Sequence, residues 1–135
     1  MTSEKNRAIA EELLTAIGTG CSPEAISELF HPDVDFEIPG DVGALPWIGR
    51  KTGRGAVVDF IEANRRLLQP VGFDVQGILA SDDTAVVVGK LASLVTATDR
   101  LIGTSFAMVL TIKDGSIVRF LMLEDSFHVS TAARP

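Results

Sequence analysis

The chain has 135 residues, a formal net charge of −6 and 46% hydrophobic residues. That length suits one domain, residues 1–135, with a buried core. The acidic balance argues against a nucleic-acid binder, which needs a basic patch to neutralise phosphates. Cys21 stands alone, so no internal disulfide is possible, and no Cys/His spacing resembles a metal site. No apolar run approaches the roughly 18 residues of a membrane span, and the first residues lack a signal-peptide core. A cytoplasmic protein without membrane, metal or nucleic acid is the expectation.

In chain order, Ser3 as N-cap, Glu4 in the first turn and Ile9, Leu13, Leu14 and Ile17 on one face predict a first helix. Gly18-Thr19-Gly20 ends it. Ser22-Pro23-Glu24 restarts a helix, with Ile26, Leu29 and Phe30 as its buried stripe and His31-Pro32-Asp33 as its stop. Val34 to Ile38 alternates strictly and predicts a short strand: Val34, Phe36 and Ile38 on one face, Asp35 and Glu37 on the other. The loop from Asp41 to Arg54 carries the only tryptophan, Trp47, and a loop this long is more often a functional cap than a mere connection. A third helix follows, with Val57, Phe60, Ile61, Asn64 and Leu68 at helical spacing, broken at Pro70-Val71-Gly72.

Four strands come next: Phe73 to Ala80, Ala85 to Thr96, Leu101 to Ile112 and Ile117 to Phe127. Asp114-Gly115 supplies the positive-φ positions of a tight hairpin. Gly89 and Gly103, inside long strands, mark points for a bulge or bend. Helices first and strands afterwards predict an α+β domain whose curved antiparallel sheet wraps around the three N-terminal helices. On the strand from Leu101, Phe106, Met108, Leu110 and Ile112 are large and apolar, while Ser105, Ala107, Val109 and Thr111 are small or β-branched. The large set, with Val118, Phe120 and Met122 of the last strand, belongs to the concave face; Arg119 opposes it. The other face, with Leu121, Leu123, Val109 and Ala107, is too apolar for open solvent and predicts a homodimer through the outer sheet.

Leu45-Pro46-Trp47-Ile48-Gly49, then Gly53-Arg54-Gly55 leading into a helix that reaches Phe60, resembles the "W-x-G…G-R-x-x-V-x-x-F" stretch of SnoaL-like proteins. Asp114-Gly115-Ser116-Ile117-Val118-Arg119-Phe120 with Glu124-Asp125-Ser126 resembles that family's "D-G-x-I-x-R-F…D-[ST]" ending. Phe30-His31-Pro32-Asp33-Val34 is similar to its "F-x-P-D-V". The family lies in the nuclear transport factor 2-like superfamily, beside ketosteroid isomerases and limonene epoxide hydrolases. The resemblance implies a cone-shaped (cystatin-like) α+β barrel, usually dimeric, with a pocket between helices and sheet and no obligatory cofactor. It does not imply one chemistry, because the fold hosts isomerases, cyclases, hydrolases, dehydratases and plain binding proteins.

Departures from the family matter. Where ketosteroid isomerase carries its general base this chain has Ile38, and its oxyanion-stabilising acid falls near Ala107. Many SnoaL-like relatives place an acid at the position of Met122, and tyrosine is absent throughout. Ketosteroid isomerase and epoxide hydrolase chemistry are disfavoured. The remaining catalytic candidates are Glu124, Glu37 and Asp41. Without a bulge Glu124 continues the Phe120–Met122 face and Asp125 points away; a one-residue bulge would swap them. Trp47, Phe60, Phe106, Met108, Phe120 and Met122 are the candidates for holding an apolar small molecule. Two readings follow: a proton-transfer enzyme (isomerase, polyketide-cyclase-like or dehydratase), or a non-catalytic ligand-binding or dimerisation domain.

Overall fold

The computed structural model describes residues 2–135. The first helix, α1 (Ser3–Gly18), is capped by Thr2, whose hydroxyl accepts from the Lys5 amide at 3.2 Å. Thr2, not Ser3, has the extended backbone of a cap (φ −87°, ψ 158°), which moves the expected start by one residue. α2 (Pro23–Ser27) begins as its sequence predicts: the Ser22 hydroxyl accepts from Ala25 N at 3.1 Å, with proline in the first turn. It ends sooner than expected. Phe30 already belongs to β1 (Phe30–Ile38), where Phe30, Val34, Phe36 and Ile38 are all buried.

Within the loop that follows, Gly49–Thr52 forms a short strand, β2, paired antiparallel to β1. Its residues Gly-Arg-Lys-Thr carry no apolar alternation, so periodicity could not show it. α3 (Arg54–Leu67) starts after Gly53, and Arg54 Nε donates to Phe30 O at 2.9 Å, tying the helix start to β1. β3 (Leu68–Ala80) runs straight on from α3, earlier than the Phe73 start expected. Pro70 does not block it, because β3 is an edge strand where a missing N–H costs no ladder bond. β4 (Thr84–Val95), β5 (Arg100–Lys113) and β6 (Ser116–Glu124) complete the sheet. A final helix, α4 (Ser126–Ala133), begins where the last strand was expected to run on to Phe127.

The strands lie in the order β2-β1-β6-β5-β4-β3, antiparallel throughout except between β1 and β6, which run parallel. At the β5–β6 hairpin Asp114 and Gly115 both have positive φ, +50° and +81°, as a tight two-residue turn requires. The register slips between Thr111 and Ile112, so Ile112 faces Ile117 while Thr111 faces Arg119. That bulge turns Ile117 into the core and leaves Val118 half-buried, reversing their expected places. At Gly89 a Cβ would collide with the Asp74 carbonyl oxygen and come within 3.1 Å of the Phe106 ring. β3 is bulged directly opposite, between Val75 and Gly77, so the bend expected at Gly89 is shared with its neighbour. Gly103, by contrast, lies in an unbroken β4–β5 register.

These bends curl the sheet so that α1 packs on β3 and β4, and α3 on β1 and β3. Phe36 and Phe120 stack with centroids 4.7 Å apart at the heart of a cluster that includes Phe30 and Phe60. Phe30, Phe36 and Phe120 are fully buried, and each contributes about 1.5–3 kcal/mol of transfer free energy. One ring of this cluster, Phe60, also faces the space left between helices and sheet.

Candidate functional site

Between α1, α3 and the concave sheet face lies a cavity of about 430 Å³. Its wall is apolar: Leu14 and Ile17 from α1, Phe60 and Ile61 from α3, Ile102 and Met108 from β5, Met122 from β6 and Val129 from α4. Trp47 comes from the β1–β2 loop, packed edge-on against Phe60 with centroids 5.6 Å apart. Trp47 and Phe60 also line a shallower outer groove of about 280 Å³, with Lys51, Asp59, Glu62 and Arg66 around it. The partition between cavity and groove is therefore built from those two rings.

Glu124 is the carboxylate in this wall. β6 delivers it by simple alternation: Phe120, Met122 and Glu124 face Leu110, Met108 and Phe106, with no bulge among them. The chain then turns. Thr104 Oγ1 accepts from Asp125 N at 2.9 Å and donates to Ser105 O at 2.7 Å, while Asp125 Oδ1 accepts from His128 N at 3.1 Å. Asp125 is thus the N-cap of α4, and Glu124 is fixed between a strand end and a helix start. No hydrogen bond or ion pair engages the Glu124 side chain among the described residues. Burial among apolar neighbours pushes its carboxyl up from 4.5 to about 7.

The other two predicted acids are elsewhere. Glu37 lies on the outer sheet face, where Arg119 Nη2 donates to it at 3.1 Å. Asp35 beside it receives a two-pronged contact from Arg50, at 3.0 and 2.9 Å, and a third from Arg119 at 3.3 Å, which hold its carboxyl below the usual range. β1 buries Val34, Phe36 and Ile38 inward, so pleating alone sends Asp35 and Glu37 out. Asp41 accepts from Arg134 Nε and Ser130 Oγ, both at 2.6 Å, pinning the loop after β1 to α4. The Arg134 guanidinium and the Ser130 hydroxyl bring its carboxyl down to about 2. Neither Glu37 nor Asp41 lines the cavity.

Of the expected ligand contacts, Trp47, Phe60, Met108 and Met122 line the cavity. Phe106 and Phe120 stand behind it instead, Phe106 stacked on Phe73 at 5.1 Å and Phe120 on Phe36. Two polar residues that sequence reasoning passed over, Asn64 of α3 and Ser93 of β4, do line it. Asn64 had a signal, since it is the one polar member of the helical stripe from Val57 to Leu68. Arg65, at the rim, already donates to Cys21 O at 2.7 Å and Ile17 O at 3.3 Å, bracing α1 against α3. Among the described residues no three of His, Cys, Asp and Glu gather as metal ligands, and no helix is long and apolar enough to cross a membrane.

Comparison with known proteins agrees with this architecture. A family model described as a SnoaL-like domain matches residues 10–120. A crystal structure of an NTF2-like protein from Burkholderia xenovorans superposes with a TM-score of 0.89 at 18% identity, covering 99% of both chains. A Bacillus subtilis protein, provisionally described as an isomerase, gives 0.80 at 21% identity, over 98% of this chain and 95% of its own. A Mesorhizobium loti protein, provisionally described as a SnoaL-like polyketide cyclase, gives 0.70 at 15% identity over 86% and 96%. No curated protein matches the chain. At these identities the likeness to solved structures is one of fold.

Proposed function

Because the chain belongs to the SnoaL-like domain family, we propose that it binds an apolar small molecule in the cone cavity and moves a proton on it with Glu124. The observation that carries this reading is the placement of one unpaired carboxylate in an apolar cavity, with its protonation midpoint at about 7. At neutral pH both forms of Glu124 are populated. The carboxylate can take a proton from a carbon acid and, as the carboxylic acid, return it at another carbon or to a departing oxygen. This is the step common to isomerisation, aldol-type cyclisation and dehydration. A positioned base near its ideal pKa contributes about 10²–10⁴-fold.

The test is hydrogen–deuterium exchange at the acidic carbons of β-tetralone, a bicyclic ketone, followed by proton NMR in deuterium oxide. Catalysed exchange that rises with pH through the Glu124 midpoint of about 7 and is lost in Glu124→Gln supports the reading. Exchange no faster in wild type than in that variant sinks it.

A second reading, a non-catalytic binding domain of the same fold, is favoured by one observation. Glu124 and the already engaged Arg65 are the ionisable residues of the wall among the described residues, so a second proton carrier is missing. Binding of the ketone without exchange would select it. For assembly, we propose a homodimer through the outer sheet face. Val86, Val88, Ala107, Val109 and Leu121 form a half-buried apolar strip there, with Leu123 exposed beside it. Light scattering should give twice the chain mass, and Leu121→Asp should return it to one.

A further inference from the structure

We propose that Asn64 is the polar anchor of the cavity, its carboxamide N–H donating to the carbonyl oxygen of an uncharged, otherwise apolar ligand. The inference rests on reading the cavity as a ligand site.

Asparagine is a poor residue for a helix interior, because its amide competes for backbone partners in other conformations. Asn64 nevertheless stands in the last turn of α3, on the face that carries Phe60 and Ile61 into the cavity wall. It is half-buried, and its side chain makes no hydrogen bond among the described residues. The other interior asparagine behaves differently: Asn6 is fully buried in α1 and donates to Ser81 O at 3.0 Å, a structural contact. The next residue along α3 is also committed, since Arg65 gives its guanidinium to the Cys21 and Ile17 carbonyls. Asn64 is thus an amide in the cavity wall with no hydrogen-bond partner among the described residues.

A ligand filling the cavity would strip water from that amide. A hydrocarbon would leave it unpaired, so the site selects a ligand bearing an acceptor, by roughly five- to 150-fold for one neutral hydrogen bond. Charge narrows the class further. An anion would meet Glu124, while the one cation of the wall, Arg65, has its guanidinium committed to the Cys21 and Ile17 carbonyls, so the matching group is a neutral carbonyl.

The experiment compares β-tetralone, the hydrocarbon tetralin and the amine β-aminotetralin as ligands of wild type, Asn64→Leu and Asn64→Ala. Carbon-13 NMR of carbonyl-labelled tetralone reports hydrogen bonding directly, as a downfield shift on binding. We expect wild type to prefer the ketone over tetralin and to shift the carbonyl downfield. In both variants the preference and the shift should be lost while tetralin still binds, which also shows that they fold. Equal affinity for tetralin and ketone in wild type, preference for the amine, or a shift that survives in both variants would overturn the proposal. The same samples separate this inference from the catalytic one. An Asn64-dependent shift without deuterium exchange removes Glu124 as a base and leaves the anchor. Exchange with an Asn64-independent shift does the reverse.

Discussion

The two faces of one sheet treat their carboxylates in opposite ways. Outside, Asp35 and Glu37 share Arg50 and Arg119 in a half-exposed network. Inside, Glu124 stands in a mostly apolar wall and makes no ion pair or hydrogen bond among the described residues. Asp35 is stabilised as an anion, and both outer acids are held in fixed pairs. The inner one resists ionising until about pH 7 and engages no side chain. What separates the carboxylates is the presence or absence of a partner and the degree of burial, not residue type.

The largest effect should come from erasing the inner carboxylate. Glu124→Gln is expected to lower proton exchange on a bound ketone by about 10²–10⁴-fold, measured by NMR, with tetralin affinity unchanged.

Stability should move the other way. In the unfolded chain Glu124 titrates near 4.5 and in the folded protein at about 7, so between these values the native state holds the extra proton. Wild-type stability should therefore fall as pH rises through that window and stay level above it. The full difference is about 3 kcal/mol at one unit per 1.4 kcal/mol. Urea unfolding at several pH values should show Glu124→Gln to be the more stable protein at high pH, by up to that amount, with the slope in this window removed.

On the outer face the expected effects are smaller. Glu37→Gln should cost at most about 1 kcal/mol, since half-exposed pairs are screened by water, and should leave the pH midpoint of exchange where it was. A shifted midpoint would mean that the two faces communicate. Weakest of all should be Asp41→Asn, read by thermal unfolding. The depressed Asp41 carboxyl adds stability above its unfolded value of 3.8, and that contribution is lost as pH falls through about 2. At neutral pH the variant should lower the midpoint slightly, and at the acid end not at all.

Much of this geometry was legible because it is periodic. Phe106, Met108, Leu110 and Ile112 alternate without interruption, and Asp114-Gly115 fixes the hairpin that sets Met122 and Glu124 against them. Where alternation fails, reading fails: one bulged residue exchanged Ile117 and Val118. α4 hid in Ser126–Ala133, a stretch of serine, threonine and valine with little helical propensity, started by the Asp125 cap. Asp41 was plausible from its loop, and Glu37 because the outward face of a short strand can meet solvent or cavity, but a partner such as Arg119 or Arg134, more than 80 residues away, is invisible until the chain folds. Asn64 shows the complementary failure. Its helical register was plain, yet only the cavity behind that face gives its amide a role.

Trp47 has a practical consequence. It is the chain's one tryptophan, there is no tyrosine, and the indole is 5% exposed in the wall of the cavity. Emission excited at the red edge of the protein band therefore comes from a single chromophore that any bound molecule must approach. Quenching or a spectral shift on titration would report occupancy without a label, and a move toward longer wavelength in denaturant would report the opening of the same wall.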